Sequence, residues 1–219
     1  MTRIALIHAL AHSLAPINDA LARDWPDAQR MNLLDDSLSA DLARTGAIDA
    51  AMTARFTQLG DYVAGTGADA ILFTCSAFGT CIDAVKARLA PLPVLKPNEA
   101  MIDEAAALVR ERGGVVGLVA TFGPTLVSMP AEFPGDVPLR TALAEGGLEA
   151  LDRGDLAAHD RAALRAAETL VSAGCSVIAL AQFSLARAQT LVQTTGLPVL
   201  TTPASAVRAL RQRLGLNAP

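Results

Sequence analysis

Residues 67–95, GADAILFTCSAFGTCIDAVKARLAPLPVL, lie over residues 174–200, GCSVIALAQFSLARAQTLVQTTGLPVL, with a two-residue gap late in the second copy. Each copy has an apolar run, a small polar turn, an amphipathic stretch and a closing Leu-Pro-Val-Leu, which is the pattern of one β-α-β module used twice. A second pair agrees: Ile4-Ala5-Leu6-Ile7 opens the first half as Val116-Gly117-Leu118-Val119 opens the second. The expected fold is α/β, with two pseudo-symmetric three-layer α/β/α lobes, parallel sheets and an active-site cleft between the lobes. At the turn after the central strand the first copy carries Cys75 and the second carries Gln182. A thiol in one place and an amide in the other is the fact that any function has to accommodate.

The runs at residues 4–7, 70–73, 115–120 and 177–181 lack polar alternation, as parallel strands covered on both faces do. Between them Ile48, Met52, Phe56, Leu59 and Val63 recur at helical spacing, and so do Leu164, Ala167 and Val171. Gly65, Gly67 and Gly174 stand where these helices should stop. The boundary is expected near Pro97, giving a first lobe at 1–97 and a second at 98–203, with a C-terminal helix at 204–219 packing back on the first. A further strand is read at 31–34, another at 198–200 and a short one at 137–140. The Pro- and Gly-rich stretch 128–155 is read as less regular and as a flap over the cleft.

The chain has 219 residues, 52% of them hydrophobic and 18% charged, and its formal net charge is −4. With no Lys/Arg-rich run and no basic-aromatic stripe, nucleic acid is not an expected partner. No apolar run is long enough for a bilayer, and the opening MTRIALIHALAHSLAP reads as a first strand rather than a leader. Cys75, Cys81 and Cys175 form neither CxxC nor zinc-like spacing, so a reduced, cytoplasmic chain without a disulfide framework or structural metal is expected. His8 and His12 lie four apart, but no acidic residue or cysteine completes a metal set locally. A homodimer is left open.

Thr74-Cys75-Ser76-Ala77 closes a strand and opens a helix. A helix start favours the thiolate, so Cys75 is expected to titrate below the ordinary value of about 8.5 and to act as base, acid or nucleophile. Cys81, inside the helix, and Cys175, before a strand, read as core, and His159 as surface. The loops at 8–13 and 121–125 reach the same carboxyl end of the sheets. They contribute His8, Thr121 and Thr125 as candidate substrate contacts beside Ser76, Ala77, Gln182 and Phe183. Asp35 and Asp36 either fringe the cleft or cap the next helix. Phe73, Phe78, Phe122 and Phe183 flank the loops and suggest an apolar substituent on the substrate, although half of them fit a core equally well.

TCSAFG at 74–79, the duplicated module, ATFGPT at 120–125 and GLEALDRGD at 147–155 together resemble the aspartate/glutamate/hydantoin racemase superfamily, which includes maleate isomerases and arylmalonate decarboxylases. The resemblance implies two α/β/α lobes, no cofactor, no metal, and a small-molecule carboxylate substrate held between two catalytic positions. In the racemases of the family both positions are cysteine. Here only Cys75 matches, and an amide has no proton-transfer pKa near neutrality.

One thiol still serves one-sided chemistry at the carbon alpha to a carboxylate, of decarboxylase or isomerase type. The arylmalonate decarboxylases keep their cysteine in the second lobe, so this chain would be the mirror arrangement, with opposite facial selectivity. Two alternatives stand beside this one: a true racemase of an amino acid or hydantoin with a non-cysteine second acid/base, such as a histidine, and a catalytically inactive protein that binds a small acid.

Overall fold

Residues 1–216 are described in a computed structural model; residues 217–219, the end of the expected C-terminal helix, lie outside the described residues. The chain divides into two compact units, one comprising Met1–Ala100 and the segment from Ala206, the other Met101–Ser205.

The first unit contains β1 (Arg3–His8), α1 (Leu14–Asp24), β2 (Gln29–Leu34), α2 (Ser37–Thr45), α3 (Ala50–Gly65), β3 (Ala70–Phe73), α4 (Gly79–Leu89) and β4 (Val94–Leu95). Its sheet has the order β2-β1-β3-β4 and every pair is parallel. Helix α5 (Glu99–Arg112) leads into β5 (Val116–Ala120), α6 (Gly123–Ser128), β6 (Leu139–Leu143), α7 (Gly147–Asp152), α8 (Leu156–Ser172), β7 (Val177–Leu180), α9 (Gln189–Val192) and β8 (Val199–Thr201). The second sheet, β6-β5-β7-β8, repeats the order and sense of the first. The chain ends in α10 (Thr202–Arg213), where Arg211 donates to the Asp24 carbonyl at 2.8 Å and lies over the Trp25 ring at 5.7 Å, within the first unit.

Register makes the two halves superimposable in logic. Ile7 pairs with Phe73 as Val119 pairs with Leu180. One step further, the Thr74 N–H reaches the Ile7 carbonyl at 3.0 Å and the Ala181 N–H reaches that of Val119 at 2.9 Å. The residues after these, Cys75 and Gln182, therefore stand at equivalent places.

The central strands are apolar throughout because both faces are covered. Along β5, Val116, Leu118 and Ala120 enter one buried cluster with α5, while Val119 enters another with α8. Along β3, Ile71 and Phe73 join Phe56 of α3 and Phe78 in one core, and Phe56 stacks on Phe73 at 5.5 Å and meets Phe78 at 4.7 Å. Such ring pairs add a little to the large burial of each side chain. Helix α3 begins at an N-cap, Asp49, which accepts from the Met52 N–H at 2.7 Å, so Ile48 of the helical stripe precedes the helix. Gly67 and Gly174, with φ of 79° and 84°, turn the chain from α3 into β3 and from α8 into β7 in the left-handed region that favours glycine.

Three expectations differ from the fold. The buried face of α8 is Ala162, Ala163, Ala166, Ala167 and Leu170, while Leu164 and Val171 are only half-buried; small residues let the helix approach the sheet, and a stripe of alanines is faint to a hydrophobic reading. Strand β6 begins at Leu139, not at 137, because Pro138 has no N–H; its carbonyl still accepts from the Val116 N–H at 2.9 Å. The stretch 128–155 is more regular than expected: it supplies the edge strand β6, a short 3₁₀ turn and α7.

Candidate active site

Cys75 stands two residues past the end of β3 and heads a 3₁₀ turn, Ser76–Phe78, before α4 begins at Gly79. It is half-buried, while Cys81 and Cys175 are buried in the cores of their units. Burial pushes the Cys75 thiol above its usual value, and the Ala77 N–H directed at the sulfur offsets this only in part. The expected depression is therefore corrected. The regular helix starts four residues after the cysteine, beyond the reach of its terminal partial charge, and loss of solvent then decides the sign. At neutral pH Cys75 rests as S–H. Ser76 and Ala77 are exposed beside it, and the Ser76 hydroxyl has no partner among the described residues.

His8 ends β1 next to this turn, and its placement corrects its expected role. It is 0% exposed and both ring nitrogens are engaged. Nδ1 lies 2.9 Å from Thr74 Oγ1 and 3.1 Å from Ser13 Oγ, and Nε2 lies 3.0 Å from Asn32 Oδ1. No nitrogen is left for a substrate. Burial lowers the His8 pKa below the usual 6.5, and the Asn32 contact opposes this more weakly. The consequence for stability has a definite sign. Below about pH 6.5 the unfolded chain binds a proton that the folded chain resists, so stability falls as pH drops towards the folded-state pKa, by at most about 1.4 kcal/mol per pH unit. The stability difference between wild type and His8→Asn should accordingly narrow from about pH 7 to about pH 5, measured by urea unfolding at each pH.

In the second unit the equivalent of Cys75 is held fast. Gln182 Oε1 accepts from the Thr121 N–H at 2.6 Å and from Thr121 Oγ1 at 2.9 Å. A backbone N–H can only donate, so the amide oxygen faces Thr121 and the Gln182 NH2 group is left as a donor. Both Thr121 donors are thereby occupied, and Thr121 is buried; it orients Gln182 and offers no hydroxyl proton of its own to a substrate. Gln182→Leu would strand the Thr121 N–H and should destabilise the chain by about 1–3 kcal/mol in urea unfolding, while Gln182→Glu, which keeps an acceptor oxygen for Thr121, should cost far less.

Of the other candidates, Thr125 is half-buried on α6, with no side-chain hydrogen bond among the described residues. Phe183 is 6% exposed, which corrects its assignment as a substrate contact: burying the ring is worth more than leaving it in water. Phe73 and Phe78 are core as well, whereas Phe122 is 47% exposed. Asp35 forms an ion pair with Arg55, which also holds Asp41, so it is structural. His12 is exposed. His159 is buried rather than on the surface, with Nδ1 3.0 Å from Asp160.

Lys96, which the sequence did not single out, follows β4. Its Nζ lies 4.0 Å from the point where a Cβ on Gly79 would sit, and it pairs with Asp83 at 2.7 Å. Only the strand order, which puts β4 beside β3, brings this cation to the turn after Cys75. Among the described residues no group of three or more His, Cys, Asp or Glu is disposed to hold a metal, and no helix is long and apolar enough to cross a membrane.

The family model described as Asp/Glu/Hydantoin racemase matches residues 11–210. The chain belongs to the Asp/Glu/hydantoin racemase family. Solved structures share the fold of this racemase-family chain. Aspartate racemase of Picrophilus torridus superposes with a TM-score of 0.70 at 11% identity, covering 100% of this chain and 96% of its own. Allantoin racemase of Klebsiella pneumoniae gives 0.68 at 18%, covering 100% and 91%. A liganded arylmalonate decarboxylase carrying a glycine-to-cysteine and a cysteine-to-serine replacement gives 0.63 at 20%, covering 100% and 96%. No curated protein matches the sequence.

Proposed function

We propose that this racemase-family chain is a cofactor-independent enzyme that acts at the carbon alpha to a carboxylate through the single thiol of Cys75, protonating one face. The observation that carries this reading is the pair of equivalent positions. One holds a thiol kept protonated by burial, the other an amide whose oxygen is fixed on Thr121. A racemase needs a base on one face and an acid on the other, and an amide is neither near neutrality. Both abstraction of an α-proton and covalent addition to a double bond start from a thiolate, whereas delivery of a proton to a carbanion starts from S–H. The resting state of Cys75 suits the last of these.

For a disubstituted malonate the step balances without a co-reactant. The bond from Cα to one carboxylate breaks, carbon dioxide leaves, and the electron pair remains as an enediolate. The Cys75 S–H gives its proton to Cα, and water restores the thiol. Among the described residues Ser76 Oγ makes no side-chain hydrogen bond, and this hydroxyl, next to Cys75 in the chain, is the donor suited to the enediolate. Each well-aimed donor is worth about 3 kcal/mol in the transition state. The Lys96 charge is paired with Asp83, which favours a carboxylate held mainly by neutral donors. Leu10 and Leu34, near the carboxyl ends of β1 and β2 in the unit that carries Cys75, are 44% and 40% exposed and support an apolar substituent on Cα.

The test is proton NMR in heavy water with a panel of disubstituted malonates, maleate, amino acids, hydantoins and 2-hydroxy acids. Release of carbon dioxide, with one deuterium incorporated at Cα in a single configuration, is the expected result. Deuterium exchange with loss of configuration would replace the lyase reading by the racemase one, with a second acid/base other than cysteine. Binding without conversion of any compound would leave a small-acid binding protein.

A further inference from the structure

Behind the Cys75 turn lies a buried polar cluster, His8, Ser13 and Thr74, each at most 7% exposed, joined to Asn32 and Asn18. Burying so many polar groups costs free energy unless they bond to one another, and these bond in an order that can be read from a fixed point. Asn18 Nδ2 donates to the Leu14 carbonyl at 2.8 Å, which only accepts, so the Asn18 amide is assigned without ambiguity. Asn18 and Asn32 then exchange two amide hydrogen bonds, of 2.9 and 3.2 Å, and this turns Asn32 Oδ1 towards His8 Nε2. Facing an oxygen without a proton, Nε2 must carry one.

On the other side of the neutral ring, Nδ1 meets the Thr74 hydroxyl at 2.9 Å and the Ser13 hydroxyl at 3.1 Å. The Ser13 hydroxyl donates to the Leu10 carbonyl at 2.8 Å, which only accepts, and this leaves the Thr74 hydroxyl, 2.8 Å from Ser13 Oγ, as the donor to Nδ1. Thr74 is the residue immediately before Cys75. Among the described residues the other acceptors within reach of its hydroxyl are Ser13 Oγ at 2.8 Å and the Ile7 carbonyl, more distant at 3.4 Å.

We propose that His8 is a positioning residue: a neutral imidazole protonated on Nε2, which grips the Thr74 hydroxyl and through it fixes the carboxyl end of β3 from which Cys75 is presented. The ring acts as a rigid strut between β1 and β3 and never touches substrate. This inference rests on the reading of Cys75 as the reacting thiol. A metal ligand or a mobile general base is not what the geometry describes, because both nitrogens are engaged and the ring is enclosed.

Two substitutions separate the strut from mere filling of space. The side-chain oxygen of His8→Asn can occupy the place of Nδ1 and accept from Thr74, whereas His8→Gln can reproduce only the Nε2 donor to Asn32. The readout is the alkylation rate of Cys75 by iodoacetamide at one pH, followed by intact mass, with Cys75→Ala as the control for the site of labelling. It needs no substrate. We expect His8→Gln to alkylate about fivefold faster than wild type, as one lost hydrogen bond allows, and His8→Asn to stay within about twofold, at similar urea midpoints for the two variants. Thr74→Val and Thr74→Ser should repeat the contrast, and this pair decides the matter if a His8 variant fails to fold.

Nitrogen-15 NMR of the His8 ring should show a proton on Nε2 and none on Nδ1. Equal alkylation rates in both pairs, rates that follow stability alone, or a proton on Nδ1 at neutral pH would each overturn the proposal. Silence in the substrate panel with the alkylation contrast intact would instead remove the reading of the enzyme and leave the strut.

Discussion

Replacing Cys75 by alanine should lower turnover of any substrate found in the panel by about 10²–10⁴-fold, the range a positioned proton donor contributes, and should leave its binding within about twofold. The thiol is the one group at the turn after β3 that can deliver a proton near neutrality. The neighbouring Ser76 hydroxyl is far too weak an acid, and His8 has no free nitrogen. Cys75→Ser should be almost as inactive as Cys75→Ala for the same reason, although its volume and hydrogen bonding are close to those of the native residue. Single-turnover NMR in heavy water checks both. If the alanine variant kept more than about a tenth of wild-type turnover, Cys75 would not be the proton donor.

The largest expected effect on stability is at Phe56. Phe56→Ala should destabilise the protein by about 3–5 kcal/mol, as deletion of a buried aromatic ring does when its surroundings relax incompletely. Phe56 is 2% exposed and lies against Phe73, two residues before Cys75, and Phe78, three residues after it. The three rings form the floor under the turn, so the variant should also alkylate faster at Cys75. Phe122→Ala, at a ring 47% exposed, should change stability by no more than about 0.5 kcal/mol. Urea unfolding of the two variants at unchanged m-value makes the comparison; equal midpoints would mean that the cluster is not the core it is described to be.

Much of this was legible in the chain because duplication writes the same physics twice. The unbroken apolar runs at 70–73 and 177–181 announced strands covered on both faces, and glycines at 67 and 174 announced the helix stops before them. Cys75 and Gln182 could be set opposite one another from alignment of the two copies alone, and the register of β1 with β3 and of β5 with β7 puts them there. What was hard to read were features carried by small or ambiguous side chains. The alanine face of α8 is apolar without being strongly hydrophobic, and β6 is an edge strand displaced past a proline.

The properties of the site belong to the other category. A histidine at a strand end looks like a substrate contact until Asn32 and Thr74, 24 and 66 residues away in sequence, are found on its two nitrogens. Thr121 looks like a free donor until Gln182, 61 residues on, takes both of its protons. The thiol of Cys75 looks acidic from its place before a helix and is made less acidic by burial. The sequence by itself determined the fold class, the duplication and the unequal pair of Cys75 and Gln182, because these follow from periodicity and from residue identity along the chain. Only the tertiary structure decided which side chains are occupied, which remain free and in which direction the thiol titrates, since hydrogen-bond partners and desolvation come from residues that folding brings together.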